Sequence, residues 1–208
     1  MNDFWIWFSN GFQHILDWNG YDHILYVVAL CVLFTVKHWK KLLVLVTAFT
    51  IGHSLTLAMS ALDIVVVKQS LIEVLIPLTI MSTCIVNILY RRFVPIAIGT
   101  AQRDVLIENK INYKLNYTLA LVFGFIHGMG FSYLLKSMLG KEENVVFPLL
   151  SFNLGLELGQ VIIVISMLLV SVFLTRFTRI KKRDEVLVVS LSVLLISTLL
   201  FIQRLNII

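Results

Sequence analysis

LLSFNLGLELGQVIIVISMLLVSVFL, residues 149–174, carries a single formal charge, that of Glu157. Bilayer hydrocarbon is about 30 Å thick and an α-helix rises about 1.5 Å per residue, so about 20 apolar residues cross it. This stretch is long enough to cross with tilt. Its polar side chains are not scattered: Asn153, Glu157 and Gln160 recur at i, i+4 and i+7, which aligns them along one helical stripe. A lone carboxylate in hydrocarbon costs about 2.5 to 3.5 kcal/mol even on a lenient insertion scale. The stripe must therefore face protein or a water-filled cavity, and the helix belongs to a bundle.

Five more stretches qualify as spans, near residues 20–36, 42–61, 71–89, 117–135 and 186–202. The whole chain agrees, with 208 residues, 59% of them hydrophobic and 14% charged, and a mean hydropathy of +0.91. The predicted fold class is an all-α membrane protein, a six-transmembrane-helix bundle. No connection is long enough for a second domain, so residues 1–208 are read as one transmembrane domain with its bundle over 20–202. Ahead of the bundle lies FWIWFSNGFQHILDW, residues 4–18. Phe4, Phe8, Phe12, Ile15 and Leu16 fall near one helical face, with Ser9, Asn10, Gln13, His14 and Asp17 opposite. That pattern predicts an interfacial amphipathic helix over 1–18. Trp5, Trp7, Trp18 and Trp39 suit an aromatic belt. The opening lacks a basic n-region and a small-residue cleavage site, so no cleavable leader is expected.

A net charge of +5 could point to nucleic acid, but the basic residues sit in short loops beside span ends. Lys37, Lys40 and Lys41 follow the first span, the run Arg91, Arg92, Arg103, Lys110 and Lys114 follows the third, and a cluster from Arg176 to Arg183 follows the fifth. The alternate loops hold only Lys68, Lys136, Lys141 and, at the end, Arg204. The positive-inside rule then puts both termini outside, and no nucleic-acid partner is expected. Cys31 and Cys84 lie mid-span and read as packing residues. Gly124 with Gly128 and Gly155 with Gly159 form two GxxxG pairs, which let helix backbones approach closely.

Glycines explain packing but not the histidine inside FGFIHGMGF, residues 123–131. Asp22 and His23 fall just inside the outer end of the first span, and His53 and His127 fall near the midplane of the second and fourth. With Glu157 they bring imidazoles and carboxylates to the outer half of the bilayer, with no lysine or arginine read at that depth. A divalent cation would satisfy them together. Imidazole mixed with carboxylate suits zinc, nickel, cobalt or iron, and the absence of thiolate argues against a structural zinc site. Asn153 and Gln160 could hydrogen-bond the ligands from outside. Glu73 reads as solvated near the headgroups, and His38 as an ordinary loop residue.

Taken together, GFQHILDWNGYDHILY (11–26), FTIGHSLTL (49–57), FGFIHGMGF (123–131) and FNLGLELGQ (152–160) resemble the HupE/UreJ family of small membrane proteins. The resemblance implies an accessory protein of the bacterial cytoplasmic membrane, associated with nickel enzymes and regarded as a nickel or cobalt permease. It implies a site at His14, Asp22, His23, His53, His127 and Glu157, with Asn153 and Gln160 nearby. It raises His14 from surface residue to participant, together with Asp17 one turn later. The implied cargo is a nickel, cobalt or zinc ion, and the implied partners are membrane lipids and proteins of metalloenzyme maturation.

Three functions fit these residues. A secondary transporter would take the ion from the outer face and pass it inward, where only uncharged polar groups such as Thr47, Thr79, Ser82, Thr83 and Asn87 are available. An intramembrane metal-dependent hydrolase would activate water on the same ion. A metal sensor or chaperone partner would do neither.

Overall fold

The computed structural model describes residues 2–18, 20–91, 113–139, 145–178 and 180–206. Seven α-helices appear among them: α1 Asn2–Leu16, α2 Asp22–Cys31, α3 Trp39–Ala61, α4 Gln69–Tyr90, α5 Tyr113–Leu139, α6 Val146–Phe177 and α7 Lys182–Leu205. A short 3-10 turn, Val36–His38, precedes α3. The basic residues Arg92, Arg103, Lys110, Lys141 and Arg179 lie outside the described residues.

The five helices from α3 to α7 are each long and apolar enough to cross a membrane, and the chain is a multi-pass membrane protein. Their outer surfaces fit that role. On α6, Leu154, Leu158, Ile162, Ile165 and Leu169 are exposed, while Gly155, Gly159, Gln160 and Ile163 on the other side are buried. Apolar side chains face out and polar ones face in, the reverse of a water-soluble bundle.

The first predicted span differs. A continuous helix over 20–36 is expected, but α2 has only ten residues, about 15 Å of rise and half the hydrocarbon thickness. Beyond Cys31 the chain runs on without regular structure, yet Val32, Leu33 and Phe34 are buried. Non-helical backbone at that depth must have its polar groups satisfied by protein. Two carbonyls near the end of α2 accept from backbone N–H groups, Val28 from Val32 at 3.1 Å and Cys31 from Phe34 at 2.9 Å. A third partner comes from α4: the Asn87 amide donates to the Ala29 carbonyl at 2.7 Å. Replacing Asn87 with leucine strands that carbonyl. The expected cost is about 1 to 3 kcal/mol, read as a lower thermal midpoint in detergent, and an unchanged midpoint would remove Asn87 from this role.

Within the stretch expected to form an amphipathic helix, α1 covers Asn2–Leu16. Rather than forming a helix set apart from the bundle, α1 packs backbone to backbone along the first half of α6. A Cβ at Gly11 would overlap the Phe152 carbonyl, one at Gly155 the Phe8 carbonyl, and one at Gly159 the Ile15 side chain. The pairing advances together along both helices, so α1 and α6 run in the same sense, and the Phe4 ring lies tilted against Phe147 with centroids 6.2 Å apart. Ile15 and Gly11 thus meet a helix, while Trp5 and Ile6 stay exposed. In the same way α3 and α5 run parallel, their contact carved by Gly52, Gly124 and Gly128. Both GxxxG pairs therefore mark close helix contacts.

The two ends of the bundle can be told apart. At one, Arg183 of α7 donates to the Arg91 carbonyl after α4, near the basic residues of the loops. At the other, Arg204 of α7 meets Glu73 of α4 at 3.6 Å. The start of α1 and the end of α7 both lie at this second end, opposite the basic end. Lys182 is no loop charge: it is buried in the first turn of α7, 2.9 Å from Glu185 and 2.7 Å from the Ser171 hydroxyl.

Candidate metal centre

The break between α1 and α2 builds the site. His14 lies in the last turn of α1 and His23 in the first turn of α2, and the two rings come together at 4.6 Å between centroids. His53 reaches the same point from α3, 6.0 Å from each. It is there because Gly52, the preceding residue, lets α3 lie directly on α5. One nitrogen from each of His14, His23 and His53 falls within 4.8 Å of the others.

The hydrogen-bond state of these rings is chemically informative. His23 Nδ1 is 2.9 Å from Asp22 Oδ1. An ionised carboxylate only accepts, so Nδ1 carries the proton and Nε2 presents its lone pair. That Nε2 is buried with no partner, as are His14 Nε2 and both nitrogens of His53. Buried polar atoms are rarely left so. Three imidazoles, each with an unpartnered nitrogen, converge on one point and suit a ligand that accepts lone pairs.

His127 stands beside this set, 5.1 Å from His23 between centroids. Its Nε2 is 3.1 Å from the Thr79 hydroxyl, and that hydroxyl donates to the Ile76 carbonyl at 2.7 Å. With the hydroxyl hydrogen committed, the ring donates from Nε2, and the buried Nδ1 is left as a bare lone pair.

The remaining candidates are placed differently. Asp22 touches His23 rather than joining the three-imidazole set, and its second oxygen faces Arg204 at 3.9 Å. Glu157 accepts a hydrogen bond from Thr47 at 2.9 Å and is outside the set. Gln160 is fully buried, its amide oxygen bound by Thr50 at 2.7 Å and its nitrogen unpartnered. Asn153 keeps a buried, unpartnered carbonyl oxygen. Asp17 is exposed in the turn between α1 and α2. His38 pairs with Thr35 at 3.0 Å, far along the chain toward the basic end, as its loop position suggests.

One functional side chain escapes the sequence reading. Arg204 provides the organic cation whose absence is expected at this depth, bridging Asp22 and Glu73. The sequence signal is its position, one residue from the end of the last helix, where a long side chain turns back along its own surface. Glu73 is accordingly ion-paired rather than merely solvated.

A family model described as HupE / UreJ protein matches residues 1–204, which include every residue named in the site. No curated protein and no solved structure gives a significant match. A hydrolase draws no support from the match, and the Asp22 carboxylate is occupied by His23 and Arg204. From α1 to the last turn of α7 the chain belongs to the HupE/UreJ family, nickel- and cobalt-related proteins of the membrane.

Proposed function

We propose that the protein carries a divalent transition-metal ion of the nickel or cobalt class across its membrane. It captures the ion on His14, His23 and His53 from the end opposite the basic loops. The observation that carries this reading is the convergence of three imidazoles whose ligand atoms lie within 4.8 Å and whose lone pairs meet no donor. Support also comes from the chain break that holds them. Transporters characteristically bind cargo where a helix is interrupted, because a broken helix can shift its halves. Here the interruption falls between His14 and His23.

The residues take distinct roles in this reading. Asp22 fixes the tautomer and aim of His23. His127 offers the next nitrogen inward, and Asn153 and Gln160 border the site with spare amide atoms. Metal-to-nitrogen bonds of about 2.0 to 2.1 Å require tetrahedral nitrogens about 3.4 Å apart, so binding draws the rings inward and couples capture to movement of α1 against α2. The charge bias orients the basic end to the cytoplasm, which makes the transport an uptake.

The test is Ni²⁺ titration of purified protein, followed by Ni²⁺ uptake into proteoliposomes. One ion bound per chain and accumulation above empty vesicles are expected; tight binding with no movement would replace transport by sensing or storage. Asp22→Asn is expected to weaken Ni²⁺ binding by about 10- to 100-fold, the usual effect of losing a carboxylate behind a ligating histidine. Isothermal titration at constant pH reads it directly.

A further inference from the structure

Aromatic rings close in on the imidazole set from several sides. The Phe131 ring lies 3.9 Å from that of His14 between centroids and stacks on Phe152 at 5.0 Å. Phe49 faces both His53 and His127, and Tyr26 also faces His127. A polar route leads outward from the set through Asp22. Side-chain exposure rises step by step along it, from His23 at 7% to Asp22 at 10%, and then to Arg204 at 27% and Glu73 at 28%.

Arg204 stands on that route and is held loosely. Its Nη2 is 3.9 Å from Asp22 Oδ2, and its Nη1 is 3.6 Å from Glu73 Oε2. A guanidinium bonded to a carboxylate usually approaches to about 2.7 to 2.9 Å. Both distances here are too long for hydrogen bonds, so charge alone binds the group to the two acids. The acids themselves have closer partners. Asp22 Oδ1 is 2.9 Å from His23 Nδ1, and Glu73 Oε1 accepts from the Gln69 amide at 2.9 Å. Each carboxylate thus has an anchor that does not involve the guanidinium. A guanidinium keeps its proton in proteins, so this one leaves the acids only by swinging away. Its place one residue from the end of α7 gives the long side chain a reach toward the headgroups.

We infer that Arg204 is a tethered cation that fills the mouth of the histidine site and is displaced by the entering metal ion. The inference rests on the reading of the histidines as the place of metal capture. Two carboxylates against one guanidinium leave one negative charge uncompensated at the mouth. A doubly charged ion gains about twice the Coulomb energy of a singly charged one from the same acids. It can therefore take the place of a guanidinium that sodium or potassium would leave undisturbed. Once on the histidines the ion lies one carboxylate away from Arg204 and repels it from Asp22. When the ion moves on, the side chain returns to the acids. A bound ion must be held well enough to enter and weakly enough to depart, and a competing charge at the entrance lowers its hold.

The experiment titrates purified full-length protein with Ni²⁺ at low and high ionic strength. Arg204→Gln, which removes the charge, is expected to bind Ni²⁺ about threefold to tenfold more tightly than wild type at low salt. The gain is expected to shrink at about 1 M salt, where charges are screened beyond about 3 Å. Arg204→Lys keeps a cation and is expected to bring the affinity back toward wild type. An arginine that merely props Asp22 in place predicts the opposite, weaker binding in Arg204→Gln at every salt concentration. That result, an unchanged affinity, a gain indifferent to salt, or a lysine variant as tight as the glutamine one would overturn the inference. A measurement on wild type covers a variant that fails to fold. Modification of Arg204 by phenylglyoxal, located by mass spectrometry, is expected to speed up when Ni²⁺ is added; an unchanged or slower reaction would also overturn displacement. Wild-type protein that binds no Ni²⁺ would instead overturn the capture reading, a result distinct from normal binding that is indifferent to Arg204.

Discussion

Changing His53 to alanine abolishes stoichiometric Ni²⁺ binding, with affinity falling by more than about 100-fold, beyond the usual effect of removing a residue behind a ligand. His53 is fully buried, and both of its nitrogens lack partners. It therefore contributes no hydrogen bond whose loss would confuse the result. The variant keeps the α3–α5 contact, which is made by glycine and backbone, so folding is expected to survive. His127→Ala is expected to weaken binding by about tenfold only, because that ring lies outside the three-imidazole set and is also anchored on Thr79. His38→Ala leaves binding unchanged. Titration of the three purified variants checks the series, and normal binding by His53→Ala would dissolve the ligand assignment.

Gly128→Leu is expected to yield no folded protein. A Cβ there would collide with the His53 carbonyl and the Thr56 hydroxyl oxygen, so two helices would have to separate. Overfilling a core costs about 1 to 3 kcal/mol when side chains can adjust, and more where the obstacle is backbone. Close packing of these helices is also what brings His53 to the site. Gly130→Ala is the control: its nearest neighbour is the flexible tip of Ile76 at 3.0 Å, which can turn aside. Size-exclusion profiles in detergent separate the outcomes, with Gly130→Ala monodisperse and Gly128→Leu aggregated; a monodisperse Gly128→Leu would mean that the helix contact is not tight.

The long spans could be read from composition because lipid imposes a strong rule, namely about 20 apolar residues in a row. Expected bounds of 42–61 and 71–89 meet helices at Trp39–Ala61 and Gln69–Tyr90. The same rule exposed His53, His127 and Glu157, since an ionisable group within such a run stands out against its neighbours. The GxxxG spacing foretold close backbone contacts for the same local reason.

What lay beyond reach were facts that depend on partners distant in the chain. Nothing in VALCVLFTV (28–36) stops a helix, for it contains neither glycine nor proline. The helix ends at Cys31 because Asn87, fifty-eight positions away, takes up the Ala29 carbonyl. Arg204 looked like a terminal charge until α7 brought it to Asp22 and Glu73. Glu157 shares its stripe with Gln160, yet Thr47 decides where its carboxylate sits. Hydrophobicity is a property of each residue and survives in a one-dimensional reading, whereas a hydrogen-bond partner is a property of a pair and exists only once the helices have packed.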